Sequence, residues 1–367
     1  KNELKEDGSG ILTSSSGFHF VLQGEISNIY TQDGKGRRIH NLLLARNFEI
    51  VEQINAALLK KGRLDYDGRP MFGFSCIELV EMMKEIDDDI EIIPAHAWTP
   101  WYGIFGSMSG FDSVEECFKE YAHKIHAIET GLSSDPAMNW RISSLDKYTL
   151  LSSSDAHSFW PWRLGREANV FDIELSYDDL LQAIINKKGF VETIEMWPHE
   201  GKYNYTGHRN CDVCLSPKES LKIKNICPKC RRPLTVGVAQ RIEQLADREE
   251  GFVPENAVPF RNLIPLSEVI AGTIGEKVES RKTWEEYHKL VNEFGNEFNV
   301  VLGVQEQKLK RITSEKIAEN IIRNREQKIP FKPGYDGVYG VPIFDEKEIK
   351  EEKITPKIKQ YGLDEFI

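Results

Sequence analysis

Short apolar strands alternate with amphipathic helical stretches from residue 17 to about residue 195, and this alternation restricts the fold more than any other feature. The strand-like segments are 18–27, 38–45, 90–97, 126–133 and 148–157, and the helix-like segments are 47–62, 75–86, 113–125 and 176–189. Such alternation predicts an α/β fold with a parallel sheet or barrel, whose functional loops follow the carboxyl ends of the strands.

The composition changes after Trp197 and again near residue 238. A stretch rich in Gly, Asn, Cys and Lys is followed by several helical patterns and then by a charged end. These shifts predict four parts. They are an α/β domain (1–197), a cysteine module (198–237), a helical domain (238–328), and a strap with a flexible tail (329–367).

The cysteine module carries two C-x-x-C pairs separated by twelve residues. The pairs consist of Cys211, Cys214, Cys227 and Cys230. Each pair places two thiolates on a tight turn, so the four predict a closed tetrahedral zinc site in a reducing cytoplasm. A closed site leaves no position for substrate, and we expect this zinc to be structural. Cys76 and Cys117 lack such spacing and are expected in the core.

Charge and hydropathy restrict the possible partners. The net charge is −11, and no apolar run approaches the ~20 residues that cross a bilayer, so a membrane role is disfavoured. Residues 202–232 nevertheless hold eight Lys or Arg against two acidic residues. This local excess, which includes Arg231 and Arg232, is expected to contact nucleic acid.

Metal-binding residue types fall at the predicted strand ends. They are Glu25, His40, His96, Glu129, Asp155 and His157. Carboxylates mixed with imidazoles suit two or three divalent metals such as Zn²⁺, Mn²⁺ or Mg²⁺. A single histidine at a strand end is more often structural, but six such residues together are not. Asp155 and His157 are the most specific pair, because alternate residues of a strand face the same side.

Four ordered motifs and the cysteine module resemble the endonuclease Q family, whose catalytic part belongs to the polymerase and histidinol phosphatase (PHP) domain family. The motifs are IIPAHAWTPW, AIETGLSSD, SSSDAHS and RLGREANVF, and the module reads GHRNCDVC…CPKC. The resemblance implies a distorted (β/α)7 barrel with a trinuclear metal centre. It makes Glu25 the bridging carboxylate, His40 and His96 further ligands, and Asp155 with His157 the final pair. Glu129 would be either a ligand or a support behind one.

The resemblance also implies a reaction. It is hydrolysis of the DNA phosphodiester 5′ to a deaminated base (uracil, hypoxanthine or xanthine) or an abasic site. Metals would polarise the phosphoryl oxygens while a metal-bound hydroxide attacks, with Glu25, Asp155 and His157 as the catalytic residues. Two alternatives remain open: a PHP phosphatase acting on a small phosphate monoester, and a DNA-binding protein without catalysis.

One departure from the family pattern concerns the start of the chain. The family begins with a strand bearing His-x-His, and nothing of that kind precedes Glu25. Because the first residue is Lys1 rather than Met, we interpret this as truncation. The activity is therefore expected of the complete protein, and this segment by itself is not required to be active.

Two aromatic loops follow the expected metal ligands and suggest contacts with DNA. The aromatic residues are Trp98, Trp101, Tyr102, Phe159, Trp160 and Trp162. Their rings could stack on an extruded base, while Arg163 and Arg166 hold phosphates. A structural role capping the barrel mouth is the alternative. Ser133, Ser134 and Asp135 are weaker candidates for reading a flipped base.

The last eight residues, QYGLDEFI, resemble the peptide with which repair enzymes bind the sliding clamp. The matching positions are Gln360, Leu363, Phe366 and Ile367. One turn of 3₁₀ helix would place the apolar three on one side as a plug. We therefore expect the sliding clamp as a partner, alongside DNA that contains deaminated bases.

Overall fold

The computed structural model describes residues 3–66 and 68–345. The chain forms two compact units. The first unit runs to Asn262 and includes Pro333–Tyr339, and the second contains Leu263–Lys332 with the described residues after Tyr339. In these ranges no helix is long and apolar enough to cross a bilayer. The proposed clamp-binding residues Gln360, Leu363, Phe366 and Ile367 lie outside the described residues.

An antiparallel sheet and a mixed sheet open the first unit. Its early strands are β1 (Leu4–Glu6), β2 (Leu12–Ser14), β3 (His19–Phe20), β4 (Leu22–Gln32), β5 (Lys35–Ala45), β6 (Met71–Phe72) and β7 (Glu91–Pro94). Strands β1 to β3 form a small antiparallel sheet, and the others form a sheet in the order β6-β4-β5-β7.

The β4–β5 hairpin departs from the predicted parallel arrangement. The two strands pair antiparallel over their whole length, and β5 also pairs antiparallel with β7. Asp33 and Gly34 form the connecting turn with φ of 52° and 74°, as Asp-Gly does in type I′ hairpins. A two-residue connection cannot carry the crossover that parallel strands need, so the parallel expectation is wrong for this pair.

Parallel pairing joins β6 to β4 and recurs later in the first unit. The strands are β8 (Ala127–Glu129), β9 (Thr149–Leu151), β10 (Ala168–Phe171), β11 (Phe190–Glu195), β12 (Thr206–His208), β13 (Val213–Leu215) and β14 (Phe260–Asn262). Strand β8 is parallel to β9, and β11 is parallel to β14 but antiparallel to β10. The described strands thus form a mixed α/β fold of separate sheets, and none of these sheets closes into the expected barrel.

Helices pack against these sheets and contribute part of the core. They are α1 (Phe48–Leu59), α2 (Cys76–Ile86), α3 (Val114–Phe118), α4 (Pro136–Asn139), α5 (Tyr177–Asn186), α6 (Pro217–Lys222) and α7 (Val238–Leu245). Ser75 and Glu78 form a capping box at the start of α2, which satisfies backbone donors that would otherwise be unpaired. Cys76 and Cys117 are fully buried, as expected.

The second unit is helical. Its elements are α8 (Leu266–Ile274), α9 (Arg281–Phe294), a π-helical turn (Asn299–Gly303), α10 (Glu306–Ile312), α11 (Glu315–Arg325), β15 (Phe331–Lys332) and β16 (Val341–Pro342). The buried side chain of Asn324 accepts from the Ile264 N–H at 3.0 Å and donates to the Ile264 carbonyl at 2.9 Å. These two bonds tie α11 to the segment that enters α8.

Candidate active site

Three metal-binding side chains converge at one face of the β4–β5 hairpin. Glu25 lies on β4, His40 on β5, and His96 just after β7. His40 Nδ1 is 3.0 Å from both Glu25 Oε1 and His96 Nε2, and the last two atoms are 3.6 Å apart. The hairpin register explains part of this arrangement. Ser27 is opposite His40, and Glu25, two residues away, shares the face of Ser27.

The backbone and ring of His96 are held in position by their surroundings. Its φ is 30°, and a Cβ added to Gly131 would lie 2.8 Å from its Cα, so only glycine fits there. Glu129 Oε2 accepts the His96 N–H at 2.9 Å. Glu129 itself is buried and is not part of the three-residue cluster. This contact is compatible with a support behind His96, one of its two expected roles, which both stay predictions.

A hydroxyl group sets the tautomer of His96. Thr99 Oγ1 is 2.9 Å from His96 Nδ1 and donates to the Trp101 carbonyl, also at 2.9 Å. A hydroxyl has one proton, so an oxygen that donates to a carbonyl must accept from the imidazole. In the neutral ring Nδ1 therefore carries the hydrogen, which leaves the Nε2 lone pair directed at Glu25 and His40. Histidines that bind metals are commonly oriented in this way.

Arg69 is a site residue that the sequence did not reveal. Its Nη2 is 3.1 Å from Glu25 Oε2, and its Nη1 is 3.2 Å from His40 Nδ1. Burial alone would raise the pKa of Glu25, but the adjacent imidazoles of His40 and His96 and the Arg69 charge lower it below its ordinary value. Burial also lowers the pKa of His40. Glu25 is thus ionised and His40 tends to be neutral, as metal ligands must be. Burial would lower the pKa of His96, but the carboxylates of Glu25, Asp155 and Glu129 raise it above its ordinary value, so metal binding at His96 would displace a proton.

The donor set fits a divalent metal. One carboxylate oxygen and two imidazole nitrogens, all within 4.8 Å of one another, suit Zn²⁺ or Mn²⁺ better than Mg²⁺, which prefers oxygen alone. Oε1 of Glu25 is buried, and its polar neighbours are His40 Nδ1 at 3.0 Å and His96 Nε2 at 3.6 Å. Burying a carboxylate together with two imidazole nitrogens that all point at one spot is costly unless a proton or a cation lies between them. These residues could therefore hold a metal ion.

Asp155 and His157 lie beside this cluster rather than within it. They follow β9 in a loop, so the expectation that they share one face of a strand is wrong. The φ of Asp155 is 42°, and His157 Nδ1 donates to the Asp155 carbonyl at 2.8 Å. The His157 side chain is 74% exposed. Both residues line a groove of about 510 Å³ that also reaches His96.

Two buried carboxyl groups lie near Glu129. Glu195 accepts from Thr130 and Thr193 at 2.9 and 2.6 Å, and burial raises its pKa to about 8. Burial and the neighbouring Glu195 charge raise the pKa of Glu167 well above its ordinary range. Both groups therefore tend to be protonated at neutral pH.

The first aromatic loop is mainly structural. Trp98 is 1% exposed, and its Nε1 donates to Asn139 Oδ1 at 2.8 Å. The expectation that Trp98 stacks on DNA is therefore wrong, because its ring lies in the core. Trp101 packs edge-on against Tyr203, and Tyr102 stacks on the His40 imidazole with centroids 4.4 Å apart. Tyr102 thus supports a candidate ligand.

The second aromatic loop contains both buried and exposed rings. Trp162 is buried, whereas Trp160 is 42% exposed. The Arg166 guanidinium donates twice to the Ser154 carbonyl, at 3.1 and 2.8 Å, which positions the loop that carries Asp155. Arg163 and Arg166 both line the groove, and their expected phosphate contacts stay predictions.

The weaker base-reading candidates have different environments. Ser134 is fully buried and donates to the Thr130 carbonyl, and Asp135 caps α4 by accepting the Met138 N–H. Ser133 lies in the groove lining. Of the three, only Ser133 is placed where a ligand in that groove could reach it.

In the cysteine module, a histidine takes the place of one expected ligand. The clustered residues are His208, Cys211, Cys227 and Cys230, whose ligand atoms lie within 4.8 Å of one another. Cys230 Sγ is 3.2 Å from His208 Nδ1. Burial would raise the pKa of Cys227, but nearby backbone N–H groups and His208 lower it to about 6. Three thiols and one imidazole fit a closed tetrahedral metal site.

Cys214 lies outside that cluster, so its expected role as a ligand stays a prediction. Its Sγ is directed to the Pro333 carbonyl at 4.0 Å. Neighbouring residues of a strand face opposite sides, and Val213 packs in a small core with Cys227 and Leu234. Cys214 therefore faces away. The H-x2-C spacing from His208 to Cys211 was the signal that could have indicated the histidine.

Comparisons with known proteins agree with the motifs. Residues 265–328 match a family model described as the MJ0043 C-terminal domain. The uncharacterized protein MJ0043 of Methanocaldococcus jannaschii is 30% identical over 313 residues, which cover 82% of this chain and 37% of that protein. The chain thus spans little more than a third of that relative. The uncharacterized protein YqxK of Bacillus subtilis is 31% identical over 343 residues, 91% of this chain and 80% of that protein.

Two solved structures share the fold. The crystal structure of the lesion-specific endonuclease PfuEndoQ from Pyrococcus furiosus matches with a TM-score of 0.82 and 29% identity, covering 95% of this chain and 84% of that chain. A crystal structure of endonuclease Q in complex with a 27-mer duplex substrate, with an abasic lesion at the active site, matches with a TM-score of 0.83 and 28% identity, covering 95% and 85%. With these matches, the chain belongs to the endonuclease Q family.

Proposed function

We propose that this protein is a metal-dependent DNA-repair endonuclease that hydrolyses the phosphodiester 5′ to deaminated bases or abasic sites. The observation that carries the proposal is the convergence of Glu25, His40 and His96 beside a groove of about 510 Å³, which His96 lines. The likeness to a lesion-specific endonuclease and to a complex with an abasic duplex supports the choice of DNA as substrate.

Each site residue has a part in this proposal. Glu25, His40 and His96 hold a divalent metal, and Asp155 with His157 complete the ligand set from the groove side. When bound, the metal supplies Lewis-acid polarisation of the phosphoryl oxygen and lowers the pKa of water. Thr99 and Glu129, named above, keep His96 in its ligand orientation.

Cations beside the groove suit a charged backbone. Arg163 and Lys202 both line it, and both lie over the Tyr339 ring, at 5.8 and 4.6 Å from its centroid. The Tyr339 ring thus contacts both positive side chains beside the groove. Their charges favour DNA phosphates, since phosphate contacts position a nucleic acid without reading its sequence. Arg231 and Arg232 extend the basic surface to the cysteine module.

The cysteine module has a structural part in the proposal. His208, Cys211, Cys227 and Cys230 bind one zinc ion that holds the module together without taking part in hydrolysis. We assign the α/β part of the first unit to the PHP domain family on the strength of its motifs.

A substitution at Asp155 tests the proposed function. In the full-length protein, Asp155→Asn should abolish nicking of duplexes that contain uracil or an abasic site but retain binding to them, because the change alters metal chemistry more than the DNA surface. Nicking is measured on labelled strands and binding by fluorescence anisotropy. Nicking comparable to that of the unmodified protein would defeat the assignment of Asp155.

A further inference from the structure

Three aromatic rings in the second loop form a continuous stack from the interior to the surface. The rings of Trp160 and Trp162 have centroids 4.9 Å apart and planes 18° apart, and those of Phe159 and Trp160 are separated by 5.7 Å and 23°. Exposure rises outward, from 4% at Trp162 through 42% at Trp160 to 79% at Phe159. The outermost ring of this aromatic stack therefore presents a flat face to solvent.

The loop that carries the aromatic stack is anchored at several points. The N–H groups of Arg163 and Leu164 both donate to the Trp160 carbonyl, at 2.8 and 3.0 Å. The Arg166 guanidinium bonds with the Ser154 carbonyl close the base of the loop. An anchored ring needs little further ordering when a ligand stacks on it, so less entropy is lost on binding.

The same loop reaches the groove of the candidate active site. His157, Ser158 and Arg163 all line that groove, and they flank the aromatic stack in sequence. The exposed ring of Phe159 and the cationic side chain of Arg163 thus belong to the same short loop. This pairing matches a nucleotide, which has a flat base and a charged phosphate.

We propose that Phe159 binds one unpaired nucleobase of the DNA strand, extending the aromatic stack outward by one ring. The inference rests on the proposed function and specifies which DNA the loop recognises. The base must be unpaired, because both faces of a base within intact duplex are covered by its neighbours. An apolar side chain of a protein partner would be better matched by a concave pocket than by a flat ring.

Binding without cleavage tests this inference. Without added divalent metal, a labelled 15-nucleotide single strand and the matching blunt duplex are titrated with the full-length protein and followed by anisotropy. Phe159→Ala should weaken single-strand binding by about 5- to 150-fold, the range expected for one stacked base. Duplex binding should change less than about twofold. Phe159→Trp should restore the single-strand affinity, because it keeps a flat ring.

Phe18 provides a matched control, since it is also an exposed aromatic ring, at 67%, but lies on the small β2–β3 hairpin. Phe18→Ala should leave single-strand binding unchanged. The inference is overturned if the single strand does not bind, if Phe159→Ala binds it as tightly as the unmodified protein, or if Phe18→Ala loses as much.

Two further results separate this inference from its alternatives. Loss of self-association in Phe159→Ala by sedimentation, with DNA binding intact, would assign the ring to a contact between copies and overturn the proposal. If the unmodified protein fails to nick lesions but shows the Phe159 effect, the stacking inference stands and the proposed function falls.

Discussion

The ligand set of the cysteine module gives the sharpest prediction, because sequence and structure choose different residues. His208→Ala should weaken zinc binding, whereas Cys214→Ser should not. A structural zinc site contributes roughly 10–16 kcal/mol, or about 2.5–4 kcal/mol for each of four ligands if shared equally. Loss of His208 should therefore reduce zinc affinity by about 10²- to 10³-fold. The weak thiol contact of Cys214 with Pro333 implies a change below about threefold.

The assay is zinc transfer to a chromophoric chelator at neutral pH, with both variants and with Cys227→Ser as the positive control. Circular dichroism of each variant with saturating zinc checks that the fold is retained. If Cys214→Ser loses zinc as readily as Cys227→Ser while His208→Ala retains it, the ligand set is the four cysteines and the reasoning from the structure is refuted.

Three other predictions follow from side-chain environments. Thr99→Val should lower the affinity of the His96 site for Mn²⁺ by about 10- to 100-fold in calorimetry, because the imidazole loses its orienting partner. Thr99→Ser should bind Mn²⁺ as the unmodified protein does. A Thr99→Val variant that binds Mn²⁺ as tightly as the unmodified protein would contradict the assigned tautomer. Trp98→Ala removes a core side chain and should lower the free energy of unfolding by about 3–5 kcal/mol in denaturant titration. Trp160→Ala should lower it by less than about 1 kcal/mol. Similar losses in the two variants would contradict the core position of Trp98. The pKa of Glu195 is raised from 4.5 to about 8, so folding loses stability as pH rises through that interval. Glu195→Gln should therefore have the higher melting temperature at pH 8 and no advantage at pH 4.5, and the reverse order would refute the assigned protonation.

Local secondary structure could be predicted from the sequence, but strand pairing could not. The predicted helices at 47–62, 75–86 and 176–189 match α1, α2 and α5, because apolar periodicity and caps such as Ser75 act over a few residues. Whether two strands pair parallel or antiparallel depends on the length of the chain segment that connects them. The Asp33-Gly34 turn signalled a hairpin that the general strand and helix alternation obscured. The division into four parts remains a prediction.

The site could be predicted in part for a similar reason. Glu25, His40 and His96 were identified by residue type. The expected strand-end position holds only for His96, which follows β7, whereas Glu25 and His40 lie inside β4 and β5. No sequence pattern identifies Arg69. It contacts Glu25 and His40 across the sheet, although all three are far apart in the sequence. Trp98 was misassigned since burial, not residue type, decides whether a ring can meet a ligand.

Nicking of a labelled duplex with one abasic site, by the full-length protein with Mn²⁺, tests the central claim most directly. We predict a single cut immediately 5′ to the lesion, no cut in the undamaged duplex, and no cut in EDTA. p-Nitrophenyl phosphate, assayed in parallel, should remain intact. Hydrolysis of that monoester without nicking would indicate a phosphatase, and lesion binding without nicking under any divalent metal would indicate a DNA-binding protein; either result would contradict the account.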